Sequence, residues 1–321
     1  MRIRFSLVAI ATLPFLPTGI GAARGNGPAT HPTGRNCTKL TGFSGRPFGI
    51  HVTRRGDVIV TAQDVGRIVH LDSTLTPTSY LGVGEDPGDV IANRTGKMAY
   101  ISGFQSGTIA YLDVDADSVT VVLQLPTRNA YRLALSPNES LLYVTNTEGL
   151  LFVFDLGEQS LRSSKRLAGS LQGVALDRSG RNLYVSSSTG DLWRLDRGSL
   201  RTIKQTRFDC RAQDVVLSKD DRELYLACEQ GSVLVLDPRS LDVIDSIQIP
   251  TGSAFGLAVT PDNAQLYVTA SSSGNVTVID RATRNVLWSV YVRGVPRRIA
   301  FTARGDTAFV TNEWNWVNVL Y

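Results

Sequence analysis

One short segment recurs along this chain at a nearly constant step, and it limits the possible folds more than any other feature. Its best copy is Leu142-Tyr143-Val144-Thr145-Asn146. Steps of 41, 43, 41, 41, 42 and 42 residues separate the seven equivalents of Tyr143, which are Ile59, Tyr100, Tyr143, Tyr184, Tyr225, Tyr267 and Phe309. The acid that closes the next predicted strand keeps the same period, at Asp72, Asp113, Asp155, Asp196, Asp237 and Asp280, with Tyr321 in the seventh place. Two sets of equivalent positions that share one period indicate seven copies of one structural unit.

A period of about 40–45 residues that carries several short strands is typical of a β-propeller blade. In the third unit we expect strand A over Tyr131–Leu135, strand B over Leu142–Thr145, strand C over Leu151–Phe154 and strand D over Leu161–Arg166. A Ser136-Pro137-Asn138-Glu139 turn joins A to B, in which we expect Asn138 at the position whose conformation Asn tolerates, and Gly149 allows the reversal from B to C. Apolar residues run almost continuously through strands A to C. Neighbouring blades would cover both faces of such a sheet.

The two ends of the repeat complement each other. The seventh unit stops after strand C at Tyr321, and the first begins at Arg46, which leaves residues 36–43 without a blade. We expect Cys37–Thr41 to supply the missing outer strand of blade seven and so to close the ring and cover a sheet edge. The alternative is an open or six-bladed assembly. The sequence therefore predicts an all-β protein, a seven-bladed β-propeller of four-stranded antiparallel blades over residues 36–321.

The chain resembles the YVTN-repeat β-propeller family over nearly all of residues 36–321. Tyr143-Val144-Thr145-Asn146 spells the signature of that family. Looser copies are Tyr184-Val185-Ser186-Ser187, Tyr267-Val268-Thr269-Ala270 and Phe309-Val310-Thr311-Asn312, and the Ser136–Asn138 and Thr260–Asp262 turns also match. The resemblance implies the fold. It does not select a function, because similar propellers include cell-surface and periplasmic binding proteins, lactonase-like enzymes and modules associated with redox cofactors.

The N-terminus predicts export. Arg2 and Arg4 precede an apolar run from Phe5 to Leu16, and small residues up to Ala23 offer a cleavage site. We therefore expect a signal peptide over residues 1–23 and a flexible Gly- and Pro-rich lead-in over residues 24–35. An uncleaved anchor is the alternative, and no later segment approaches the ~20 apolar residues of a membrane span. The expected location is secreted, periplasmic or at the cell surface.

Composition argues against several functions. The formal charge of +4 falls to +2 when Arg2 and Arg4 are removed, which is weak support for nucleic-acid binding. The three histidines and three cysteines show no spacing typical of a metal or haem site. No phosphate-binding loop or nucleophile elbow is recognisable. We expect a monomer with no cofactor and no metal, which binds a small molecule or a protein partner.

The cysteines suit an exported protein, although their number is odd. Cys210 precedes strand A of blade five and Cys228 ends strand B, so both lie on one face of adjacent strands. A disulfide between them is feasible, yet a simple hairpin register would place Cys228 nearer Gln213. Cys37 is left over.

The positions that break the repeat are where we expect a functional site. In a propeller, the D-to-A and B-to-C loops gather around the central channel. The two residues that precede the core of each strand A are Phe48-Gly49, Gly88-Asp89, Tyr131-Arg132, Gln172-Gly173, Gln213-Asp214, Phe255-Gly256 and Arg297-Arg298. The second member is Gly in three blades and charged in the other four.

Two interpretations of this charged column remain open. One is a ligand-binding rim that recognises anions through Arg132, Arg297 and Arg298, with walls formed by Phe48, Tyr131 and Phe255. The other is a set of inter-blade salt bridges, for example between Asp89 and Arg132. A hydrolase of the lactonase kind, with Asp89 or Asp214 as general base, is a further alternative, and no catalytic residue can be assigned.

Two other side chains could belong to the same site. Trp314 lies in the B-to-C loop of blade seven and either faces the rim or plugs the point where the ring closes. Asn315 aligns there with the Gly of other blades, as its tolerance of the left-handed region allows. His51 either faces the channel or is a hydrogen-bonded strand residue.

Overall fold

The computed structural model describes residues 36–250 and 252–321. The predicted signal peptide and lead-in lie outside these residues. Twenty-eight strands form seven four-stranded antiparallel sheets arranged as a ring, and the one helix among the described residues is the short 3-10 turn Gln63–Val65. The predicted all-β, seven-bladed propeller is confirmed. No described helix is long and apolar enough to cross a membrane.

Each of blades one to six follows the chain from its inner strand A to its outer strand D. The strands of blades one to three are β2 (Pro47–Val52), β3 (Val58–Ala62), β4 (Arg67–Leu71), β5 (Pro77–Gly82), β6 (Pro87–Ala92), β7 (Met98–Gly103), β8 (Thr108–Asp113), β9 (Ser118–Gln124), β10 (Ala130–Leu135), β11 (Leu141–Asn146), β12 (Leu150–Asp155) and β13 (Ser160–Arg166). Those of blades four to six are β14 (Leu171–Leu176), β15 (Asn182–Ser187), β16 (Asp191–Asp196), β17 (Thr202–Arg207), β18 (Ala212–Leu217), β19 (Leu224–Cys228), β20 (Ser232–Leu236), β21 (Val243–Gln248), β22 (Leu257–Val259), β23 (Gln265–Ala270), β24 (Asn275–Asp280) and β25 (Val286–Tyr291). Blade seven combines both ends of the described chain, with β26 (Pro296–Phe301), β27 (Ala308–Asn312), β28 (Trp316–Leu320) and β1 (Cys37–Leu40).

Ring closure follows the expected route. Strand β1 pairs antiparallel with β28, so that Cys37 lies opposite Leu320 and Leu40 opposite Val317. The Tyr321 N–H extends the pairing by donating to the Asn36 carbonyl at 3.2 Å. The N-terminal strand therefore covers the edge that blade seven would otherwise leave open.

The repeated Tyr is a packing residue between blades. Tyr143 and Tyr267 are completely buried, and Tyr143 joins Val174 and Val185 of blade four in one apolar cluster. Burying such a side chain contributes roughly 1.5–3 kcal/mol. The outer strands differ, because strand D of blade three is exposed along almost its whole length.

Turns close the repeat as the sequence predicts, with one difference. Gly149 and Asn315 both adopt positive φ, at 85° and 69°. In the A-to-B turn of blade three, however, Glu139 rather than Asn138 takes the left-handed conformation, with φ 57°. The Asn138 side chain instead accepts a hydrogen bond from the Ser136 hydroxyl at 2.8 Å and so fixes the turn through its oxygen.

A hydroxyl two residues after the repeated Tyr position ties six of the seven blades to the next blade. The Thr145 hydroxyl accepts a bond from the Arg132 N–H in its own blade (3.0 Å) and donates to the Gln172 carbonyl of the next blade (2.8 Å). Six blades make this inter-blade hydroxyl bridge, through Thr61, Ser102, Thr145, Ser186, Thr269 and Thr311. Blade five has Ala227 at this position. The bridges fix the inner strands, which carry the channel-lining residues.

Candidate functional site

A bulge in the inner strand A contains the position that is Gly in three blades and charged in the other four. We call it the column position. In six of the seven blades the pairing of strand A with strand B shifts register across two residues, of which the second is the column residue. Gly fills the column where the next blade approaches closely. A Cβ on Gly49 would lie 2.4 Å from the Gly88 carbonyl oxygen, and one on Gly256 would lie 2.2 Å from that of Arg297. The other blades carry Asp or Arg there.

These four charged residues meet across the channel. The Arg132 guanidinium donates to Asp89 (2.9 Å) in the adjacent blade and to Asp214 (3.3 Å) two blades away. Arg298 of blade seven donates to the same Asp214 carboxylate at 3.0 Å. We call Asp89, Arg132, Asp214 and Arg298 the channel network. It joins blades two, three, five and seven, so it contains the predicted Asp89–Arg132 bridge and also spans the ring.

Both carboxylates of the channel network also bind backbone. Asp89 accepts from the Leu133 N–H at 3.0 Å, and Asp214 accepts from the Leu257 N–H at 3.2 Å. Each of these N–H groups belongs to the next blade along the chain. Asp214 therefore connects blades five and six at the one junction where Ala227 removes the hydroxyl bridge.

The channel network is buried and electrically balanced. Asp89, Asp214 and Arg298 are 4%, 1% and 4% exposed. Burial lowers the pKa of Arg132, but the two carboxylates outweigh it and raise the pKa above the usual value. Burial and the neighbouring Arg132 lower the pKa of Arg298. Two positive and two negative side chains leave no net charge, and this weakens the expectation of a rim that selects anions.

Aromatic rings cover the network at the end where strand A begins. The Arg298 guanidinium lies 5.0 Å from the centre of the Phe255 ring, 5.6 Å from Phe48 and 5.7 Å from Tyr131. Arg297 lies 4.5 Å from the Phe255 ring on the same side. Phe48 and Phe255 are only 5% and 6% exposed, and the Tyr131 hydroxyl is 3.3 Å from Arg298. The expected aromatic walls are therefore a cap over the guanidinium.

The open side of the channel network lies at the opposite end. A cavity of about 150 Å³ is lined by all four network residues and by His51. An adjoining cavity of about 700 Å³ shares Arg132 and Leu133 in its lining and extends to Lys219 and Pro261 in the A-to-B turns. We expected access from the D-to-A and B-to-C loops. The structure instead places the opening among the A-to-B turns of blades three to six.

The wall of the larger cavity is mainly apolar. Its aliphatic side chains come from the innermost strands and are Ile91, Leu133, Ala134, Leu135, Val174, Ala175, Leu176, Val215, Val216 and Leu217. Polar and charged residues lie at the mouth, where the Arg178 N–H donates to Asp221 at 2.9 Å. Apolar walls with a few polar groups at one end are typical of small-molecule sites. This mouth was not predicted, because the residues that break the repeat lie at the start of each strand A and the mouth lies beyond its end.

His51 faces the channel, as the first of the two alternatives expected. It is half-buried and lines the 150 Å³ cavity beside Asp89. Burial lowers the pKa of His51 to about 4, although the Asp89 charge acts in the opposite direction. The imidazole is therefore neutral at pH 7 and adds no charge to the cavity.

Trp314 belongs to the point of ring closure. Its side chain is 60% exposed and packs edge-on against Trp316, with ring centres 6.0 Å apart. The Lys39 ammonium of the closing strand lies 3.6 Å from the centre of the Trp316 ring. Arg297 pairs nearby with Glu313 at 2.7 Å. The structure thus groups Trp314 with the closing strand, while Arg297 contacts the aromatic cap.

Cys210 and Cys228 form a disulfide, with Cα atoms 5.5 Å apart. The bulge decides the register here, because Cys228 pairs with Ala212 rather than with Gln213. Cys37 is free and exposed. Within the described part of the chain, no three His, Cys, Asp or Glu side chains are placed to hold a metal ion.

Comparison with known proteins gives a fold and no family. No protein-family model matches the chain. No curated protein matches it either. Among solved structures, it is similar to a chain of Kuenenia stuttgartiensis Hydrazine Synthase, with a TM-score of 0.79 and 15% sequence identity over 88% of this chain and 97% of that one. At that identity the likeness supports the propeller fold alone.

Proposed function

We propose that this protein is an exported, non-catalytic propeller that binds a small molecule in its central channel. The observation that carries the proposal is the combination of a closed polar end and a long apolar wall. The channel network and the aromatic cap close one end, while the cavity of about 700 Å³ opens at the other. A volume of roughly 300–1,000 Å³ is usual for a site that surrounds a small organic ligand.

Export and family membership are part of the same proposal. The signal-like N-terminus supports export, and the Cys210–Cys228 disulfide suits an oxidising compartment. The inter-blade hydroxyl bridge supports membership of the YVTN-repeat family, because it gives the signature Thr a structural role in four blades and a Ser the same role in two more. Fractionation of cells that express the full chain, with sequencing of the mature N-terminus, tests export. Recovery of the uncleaved chain from the cytoplasm contradicts it.

The engagement of both carboxylates argues against the hydrolase. Each oxygen of Asp89 and Asp214 accepts a hydrogen bond from an arginine or from backbone N–H. A general base needs a free oxygen within reach of the attacking water. We therefore place binding ahead of lactone hydrolysis as the function of the channel.

Channel binding is tested by titrating hexanamide, a short amphiphile that fits the cavity, into the purified protein by calorimetry. We expect saturable binding to the wild type and a loss of at least tenfold in affinity for Ala175→Phe, which adds a ring to the cavity wall. Val122→Phe, on an exposed outer strand, is the matched control and should bind normally. If Ala175→Phe does not fold, Leu176→Trp serves the same purpose. Equal affinity in the wall and control variants contradicts the proposal.

A further inference from the structure

The hydrogen-bond donors and acceptors of the channel network are unequally used. Each guanidinium carries five N–H groups and no acceptor. Each terminal nitrogen of Arg132 and Arg298 donates to a single residue, and the Nε–H groups of both have no partner among the described residues. Since buried polar groups are nearly always hydrogen-bonded, these donors are available to an acceptor on a bound molecule.

The carboxylates offer less capacity for a further donor, and what remains belongs to Asp89. Asp89 accepts from Arg132 through one oxygen and from the Leu133 N–H through the other. Asp214 accepts from both arginines and from the Val215 and Leu257 N–H groups. The spare capacity of the network is therefore mainly that of a hydrogen-bond donor, since the two guanidiniums keep more unused N–H groups than Asp89 keeps lone pairs.

Charge balance narrows the acceptor further. A carboxylate or phosphate at this end would bring a negative charge beside Asp89 and Asp214, in a site where no net positive charge compensates it. An ammonium group would meet two guanidiniums, and only Asp89 keeps unused lone pairs that could accept from it. Burying an uncompensated charge is costly, whereas a neutral oxygen acceptor adds none.

We infer that the closed end of the channel receives the carbonyl oxygen of a small uncharged molecule, such as an amide, ester or ketone, through the free N–H groups of Arg132 and Arg298. The 150 Å³ cavity takes the carbonyl group and the apolar wall of the larger cavity takes the remainder of the ligand. His51, which is neutral at pH 7, leaves this balance unchanged. The inference rests on the proposed channel function and specifies the chemical class that it recognises.

Three probes of one length test the inference: hexanamide, hexanoate and hexylammonium, titrated at pH 7 and one salt concentration. For the wild type we expect hexanamide to bind at least tenfold more tightly than either charged probe. Asp89→Asn keeps an oxygen for the Leu133 N–H but gives the network a net positive charge. In that variant the preference should reverse, with hexanoate binding more tightly than hexanamide.

Asp64→Asn is the matched control, because it removes one negative charge from a surface pair with Arg46 and should leave the wild-type order intact. If Asp89→Asn does not fold, Arg298→Met tests the same balance with the opposite sign and should favour hexylammonium over hexanoate. A wild type that prefers hexanoate overturns the inference and leaves channel binding standing. A folded wild type that binds none of the probes overturns both.

Discussion

Asp214 is the residue on which the channel network depends most. Its carboxylate is 1% exposed and accepts bonds from Arg132, Arg298 and the Leu257 N–H. Asp214→Asn keeps the shape and one oxygen acceptor but removes the charge. Arg298 then has no carboxylate partner, whereas Arg132 keeps Asp89. Breaking a buried pair in this way costs about 3–5 kcal/mol, because a charge is left buried without compensation.

Urea unfolding with the disulfide intact measures this cost. The same loss should lower the melting temperature by roughly 10 °C, at about 2–4 °C per kcal/mol for a domain of this size. Asp214→Asn combined with Arg298→Met restores a neutral network, and we expect it to recover at least about 1 kcal/mol relative to the single variant. Asp64→Asn, at an exposed pair, should change stability by no more than about 1 kcal/mol.

Two results would refute the reasoning about Asp214. One is a loss below about 1 kcal/mol for Asp214→Asn, which is the range of an exposed pair. The other is a double variant that is no more stable than Asp214→Asn alone. Either would mean that the two guanidiniums do not need this carboxylate.

Three further predictions concern the bridge, the disulfide and pH. Thr145→Val should lower the free energy of urea unfolding by about 1–3 kcal/mol, because it leaves the buried Arg132 N–H and Gln172 carbonyl unpaired. Thr145→Ser keeps the hydroxyl and should stay near wild type. Equal losses in the two variants would argue against the bridge. Replacing Cys210 and Cys228 together by Ala should lower the free energy of unfolding by about 3 kcal/mol, since the disulfide closes a loop over a separation of 18 residues. An unchanged urea midpoint would show that the disulfide does not constrain the unfolded chain. The pKa of His51 is about 4 in the folded protein and 6.5 in the unfolded chain, so the unfolded chain binds the proton first as the pH falls. The free energy of unfolding of the wild type, relative to that of His51→Asn, should therefore be highest above pH 6.5 and should fall as the pH drops toward 4. The difference should reach at most about 3 kcal/mol, less where channel water reaches the ring, and parallel pH curves for the two proteins would contradict it.

The fold could be predicted because the sequence pattern of each blade repeats along the chain. The Tyr143 column fixes the blades, and the missing outer strand after Leu320 fixes the closure by Cys37–Leu40. Each blade repeats the same local pairing, so an error in one unit would conflict with six others. The strand limits in blade three differ from the prediction by a single residue at several ends, where sequence carries little information.

The sequence also singled out the four charged residues that meet in the channel, but it could not give their contacts. A charged residue where other blades have Gly marked Asp89, Arg132, Asp214 and Arg298. Whether such side chains face a ligand or one another depends on the channel diameter and on side-chain reach. Neither is a local property of the sequence.

The direction of the opening was the largest difference. We placed it beside Phe48 and Phe255 because loops gather there, yet these rings stack on Arg298 and cover it. The attraction of a desolvated guanidinium for ring faces, about 2 kcal/mol each, favours closure at that end. The contact of Arg298 with rings from blades one and six involves three different blades. It therefore produces no periodic pattern in the sequence.

The most direct test of the account is a crystal structure of the protein grown with hexanamide. We expect the ligand inside the channel, with its carbonyl oxygen within hydrogen-bonding distance of Arg132 or Arg298 and its chain along the wall formed by Leu133 and Val174. Ligand density on the Phe48 side of the cap, or an empty channel at a saturating concentration, would contradict the account.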